Sequence, residues 1–164
     1  MARFRTLFVL VIATCTAVVA LVVAGAATAA GGTHTQTFTQ NFHGVQTATD
    51  TNPCTGNQID LTQTTNMVQH VTFFPAGDEI WGTFTEEAKI TGVDQGTGVV
   101  YTGHSTAWGN FNVNERNSND SFTASIHLTG SDGSTISFHE VTHEAWNANG
   151  VPTVSFDKVS LTCG

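Results

Sequence analysis

The sequence predicts an all-β protein, an antiparallel meander closed into a barrel of seven or eight strands. Three observations lead there. Polar and apolar residues alternate through most of the chain, and no stretch sustains the 3.6-residue apolar period of a helix. Turn-forming clusters interrupt the alternation repeatedly. One hairpin fixes its own register, as shown below.

Taken in order, Thr35 to Thr49 carries Phe38 and Phe42 on one face, with Gly44 expected as a bulge. Asp50-Thr51-Asn52-Pro53 is turn chemistry. Gln58 to Phe74 follows, with Ile59 and Leu61 in phase, and Pro75-Ala76-Gly77-Asp78 turns the chain. Glu79 to Thr91 places Ile80, Phe84, Ala88 and Ile90 together, and Gly92 to Gly98 reads as a glycine-rich loop. That loop has neither a lysine nor a helix after it, so it is no phosphate cradle. Val99 to Val113 keeps Tyr101, Gly103, Ser105, Ala107, Gly109 and Phe111 on one parity. Asn114 to Asp120 reads as a turn, and Ser121 to Gly130 aligns Phe122, Ala124, Ile126 and Leu128. Ser134 to Asn147 and Val151 to Leu161 complete seven strands.

The self-registering hairpin is the one around Ser131-Asp132-Gly133. If Gly133 takes a left-handed conformation in a three-residue loop, Gly130 faces Ser134, Leu128 faces Ile136 and Ile126 faces Phe138. Apolar residues then meet apolar ones, which a two-residue loop does not allow. Long strands with no helix to cover them favour closure, because closure removes the edges. A two-sheet sandwich is the alternative architecture.

Residues 1–29 have the pattern of a secretory signal peptide. Arg3 and Arg5 precede an apolar run from Leu7 to Ala24, and Ala27-Thr28-Ala29 offers small residues for cleavage. An uncleaved anchor is the alternative, because the apolar run is about long enough to span a bilayer. Residues 30–164 then form a single secreted domain, large enough to bury its own core. Within it Lys89, Arg116 and Lys158 stand against 13 acids, a net charge near −10. Such a surface repels nucleic acid and anionic lipid, so neither is an expected partner.

Cys15 lies in the apolar leader, which leaves Cys54 and Cys163. An oxidising compartment and the lack of any C-x-x-C spacing favour a disulfide over a metal site. The bridge closes a loop on the order of 100 residues, worth roughly 4–5 kcal/mol in the chain-entropy model.

His139-Glu140-x-x-His143 matches the zinc-peptidase pattern H-E-x-x-H. On a helix the two imidazoles would share one zinc. On a strand they stand roughly 13 Å apart and cannot. The hairpin register and the β-branched Thr135, Ile136, Val141 and Thr142 place the motif on a strand.

Candidate ligand contacts follow from the same parity. Gln40, Glu86, Tyr101 and Glu140 fall on the apolar face, where a carboxylate is costly unless paired or protonated. Glu86 and Glu140 are candidate polar anchors, or an acid–base pair, inside a lumen. Bulges that turn them outward are the alternative. On the outer face His127 and His139 are diagonal neighbours that His104 can join. They are the weak candidates for a metal, and no metal or other cofactor is expected. Trp81 and Trp108 point outward, where they can form a contact patch. No G-x-S-x-G nucleophile motif is present.

Five segments carry a resemblance: N-P-C-T-G at 52–56, Y-T-G-H at 101–104, G-S-D-G-S at 130–134, S-F-H-E at 137–140 and V-S-F-D-K at 154–158. With the C-terminal cysteine they resemble small secreted actinobacterial proteins that carry no assigned activity. The architecture this resemblance implies is similar to calycin-like and allene-oxide-cyclase-like barrels, which bind apolar molecules in the lumen. The expected function is therefore non-catalytic binding of a small apolar molecule. An extracellular interaction module and a cyclase- or isomerase-like enzyme are the alternatives.

Overall fold

A computed structural model describes residues 34–74 and 79–164. The leader segment and the Pro75–Asp78 turn lie outside the described residues. Seven strands run β1 (Gln36–Thr51), β2 (Gln58–Phe74), β3 (Glu79–Asp94), β4 (Val100–Val113), β5 (Asn117–Gly130), β6 (Thr135–Asn147) and β7 (Pro152–Cys163). Each pairs antiparallel with the next, in one sheet of order β1-β2-β3-β4-β5-β6-β7. The strands form one sheet, not the two of a sandwich, and β1 and β7 are its unpaired edges.

The predicted hairpin is reproduced residue for residue. Leu128 pairs with Ile136, Ile126 with Phe138, His127 with Ser137 and Ser125 with His139. The Gly130 amide donates to the Ser134 carbonyl at 2.7 Å, and Gly133 takes a φ of 89°. The H-E-x-x-H segment therefore lies within β6, with His139 and His143 on one face and Glu140 on the other.

Three boundaries and one bulge differ from the sequence reading. The β1–β2 ladder runs unbroken through Gly44, which pairs with Thr65, so Gly44 is not a bulge. β1 continues to Thr51, β3 continues through Gly92 to Asp94, and β5 begins at Asn117. The β6–β7 ladder shifts register at Ala145/Trp146.

The sheet curls strongly. Between the β1–β2 loop and β7 a flat sheet would span roughly 25 Å at ~4.8 Å per strand. The Cys54–Cys163 disulfide joins those places with a Cα–Cα distance of 5.8 Å, across a sequence separation of 109. The expected bridge is therefore formed. One apolar cluster likewise gathers Ile59 from β2, Ile90 from β3, Tyr101 from β4, Ile126 and Leu128 from β5 and Ile136 from β6, with Leu161 of β7 packed against it.

Glycines make the curl possible. Gly82 is covered by the Phe111 ring, and a Cβ on Gly103 would run into the His127 carbonyl. At Gly109 a Cβ would come within 2.6 Å of both Phe84 and the Ser121 carbonyl. These small residues thus admit aromatic rings and a neighbouring backbone. On the convex face β-branched residues dominate, and one cross-strand row reads Thr47, Thr62, Thr91, Thr102, Thr129 and Thr135.

The two ends of the sheet differ. At the disulfide end Asp94, with no exposed surface, gathers two loops. Its Oδ2 accepts from Asn52 Nδ2 at 2.8 Å and Thr55 Oγ1 at 2.6 Å. Its Oδ1 accepts from Asn57 Nδ2 at 2.9 Å and from the amides of Gly96 and Thr97 at 3.0 and 2.9 Å. These donors, led by Thr55, hold the carboxyl well below the usual carboxylate range. At the opposite end Phe73, Phe84, Phe111 and Phe122 are only half-buried. The interior is therefore plugged at one end and lined with accessible aromatic rings at the other.

Candidate functional site

The concave face places Glu86 between these two regions. On β3 it pairs with Met67 of β2 and Ala107 of β4. The row continues through Ala124 of β5 to Glu140 of β6. Glu86 is 1 % exposed, while Glu140 is half-buried. The two carboxylates thus occupy one row three strands apart, as their parity predicts. Phe84, Phe122 and Phe138 pack on Ala107 and Ala124, and the Phe84 and Phe122 rings stack at 6.1 Å.

Glu86 is poorly solvated for a carboxylate. Gln63 Nε2 donates to its Oε1 at 3.2 Å, and the other oxygen, Oε2, has no hydrogen-bond partner. Burial pushes its pKa up to about 7. Gln69, two residues along β2 from Met67 and paired with Phe84, is 3 % exposed, and its Oε1 is also unpartnered. Both orphans are acceptor oxygens. A buried acceptor without a donor costs on the order of 1–3 kcal/mol.

The other candidates fall in different places. Gln40 pairs with Gln69 and is half-buried at the edge of the face. Tyr101 lies toward the disulfide end inside the apolar cluster, with its hydroxyl 3.1 Å from Ser134 Oγ. It belongs to the plug and is separated from Glu86 by the rows of Ser105 and Gly103. Gln63 and Gln69 were not singled out from the sequence. The alternation Leu61, Gln63, Thr65, Met67, Gln69, Val71 carried the same signal as Glu86.

On the convex face the histidines sit as the register predicts. His104 and His127 face each other with ring centroids 6.4 Å apart. His127 Nδ1 lies 2.9 Å from Ser137 Oγ, and His139 Nδ1 lies 2.9 Å from Ser125 Oγ. Lys89 flanks His104 on β3, where its charge opposes a second cation. Among the described residues no three His, Cys, Asp or Glu side chains converge on a common metal position. Trp81 and Trp108 are outward, 51 % and 53 % exposed. A depression of about 470 Å³ opens across β1, β2 and β3 on this convex face, with Val68 in its lining.

No protein-family model, curated protein or solved structure matches this chain. Among the described residues no helix is long and apolar enough to cross a membrane.

Proposed function

We propose that the protein is an exported, calycin-like barrel that binds a small apolar molecule on its concave face, with Glu86 as the polar anchor. The observation that carries this reading is the buried, half-satisfied Glu86 carboxyl, set behind half-exposed phenylalanines. A ligand entering past Phe84 and Phe122 would bury its apolar body against those rings. Its polar group would meet Glu86 and the orphan Gln69 oxygen, and restore the hydrogen bonds both lack. The strong curl and the disulfide across the ends of the meander support closure around such a ligand. The same disulfide supports export to an oxidising compartment.

A carboxyl that titrates near neutrality also suits a general acid or base, which keeps an isomerase-like reading as the second one. Native mass spectrometry of protein purified from its secreting host tests the binding reading. An added mass of a few hundred daltons, lost on unfolding and absent from Glu86→Leu, is the expected result. A wild-type protein that carries no adduct and displaces no apolar fluorescent probe would overturn it. Turnover of the released molecule would favour the enzyme.

A further inference from the structure

The convex depression has a chemistry of its own. Asn41 and His43 of β1, Asn66 and Val68 of β2, and Thr85 and Glu87 of β3 line it, together with Phe42 and Met67, whose parity is that of the concave face. Its volume of about 470 Å³ lies in the range of small-ligand sites. Trp108 of β4 pairs with the lining residue Thr85, so the two Cβ atoms stand about 5 Å apart, and its indole is 53 % exposed. Val68 is 39 % exposed and gives the site an apolar patch.

The polar groups around this patch are pre-oriented. His43 Nδ1 lies 2.6 Å from Asn66 Oδ1. That oxygen can only accept, so Nδ1 is the donor in this contact. The Asn66 amide nitrogen then remains a donor. Asn41, Thr85 and the imidazole all mix donors with acceptors, and Glu87 adds two acceptor oxygens.

We propose that this depression, together with the neighbouring exposed Trp108, is a binding site for a neutral oligosaccharide. A pyranose presents apolar C–H faces and a ring of hydroxyls that both donate and accept. The site offers an indole face and apolar patch for the first, and amides, imidazole, hydroxyl and carboxylate for the second. Charge argues for a neutral ligand. Glu87 is the lining carboxylate, and the chain carries −8 overall, so anionic glycans and nucleic acids are repelled.

The test uses the full chain against insoluble cellulose, chitin, mannan and β-1,3-glucan by co-sedimentation. The matching soluble oligosaccharides are titrated by calorimetry and tryptophan emission. One glycan is expected to bind and to shift the indole emission. Binding of the short oligosaccharide locates the ligand within the depression. Binding of the polymer alone locates it as a longer chain laid over Trp108. Trp108→Ala and Asn66→Ala should each weaken binding at least tenfold, with unchanged circular dichroism because both side chains are exposed. Glu86→Gln should bind like wild type, so loss of the concave-face ligand and loss of this one are separate results. Failure of every neutral glycan to bind, or binding indifferent to both substitutions, would overturn the proposal.

Discussion

Replacing Glu86 by glutamine isolates one titration in the core. The folded protein holds this carboxyl near pKa 7, against 4.5 for the ordinary side chain. Between those values the folded state binds a proton that the unfolded chain has already lost. Stability from this group is therefore full below about pH 4.5 and falls as pH rises toward 7. The difference corresponds to about 3 kcal/mol at 1.36 kcal/mol per unit. Glutamine keeps the shape, stays neutral and still accepts from Gln63. The variant should match wild type near pH 4.5 and exceed it by up to about 3 kcal/mol at pH 8. For a domain of this size that is on the order of 10 °C in Tm. No charged side chain faces Glu86 from its cross-strand partners Met67 and Ala107, and Glu140 is the other carboxylate on its row. Thermal melts of both proteins across pH 4.5–8 provide the assay. Taking the difference cancels the raised Asp50 and Asp120, which are common to both proteins. Parallel pH profiles would show that Glu86 is charged and solvated in the folded state, and would remove the basis for its role as an anchor.

Two further outcomes concern the disulfide end. Cys54→Ser with Cys163→Ser should lower the urea-derived unfolding free energy by roughly 2–5 kcal/mol, the usual effect of losing a native bridge. Asp94→Asn should lower the denaturation midpoint at neutral pH, because Asn57 and the Gly96 and Thr97 amides meet a weaker acceptor or an amide in its place. The lowered Asp94 pKa contributes stability that is full above 3.8 and lost as pH falls below it. Acid titrations should therefore show the gap between Asp94→Asn and wild type narrowing below about pH 4.

The β5–β6 hairpin was legible because its loop, its apolar pairs and its polar pairs all agree on one register. The outward Trp81 and Trp108, and the shared row of Glu86 and Glu140, followed from period-two alternation alone. Asp94 was not legible. Asp94-Gln95-Gly96-Thr97-Gly98 reads locally as turn residues, and three of its donors come from Asn52, Thr55 and Asn57, about forty positions earlier. Only the pairing of β2 with β3 brings them together. Gly44 misled because a strand glycine usually marks a bulge, whereas here the ladder passes straight through it. The convex depression was hidden for a related reason. Asn41, Asn66 and Glu87 are unremarkable singly, and their convergence depends on two registers at once.

The position of the bridge also decides how the molecule would carry a load. With Cys54 joined to Cys163, a pull between the start of β1 and the C-terminus passes along β1 and then directly through the sulfur–sulfur bond. Strands β2 to β7 lie off that line of tension. While the bridge holds, the distance between the pulled points can reach little more than the extended span of residues 36–54, ~65 Å, instead of the ~450 Å of the whole folded segment. Reduction would switch the same pull onto every ladder in the sheet, so thiol chemistry would govern the extensibility of the chain.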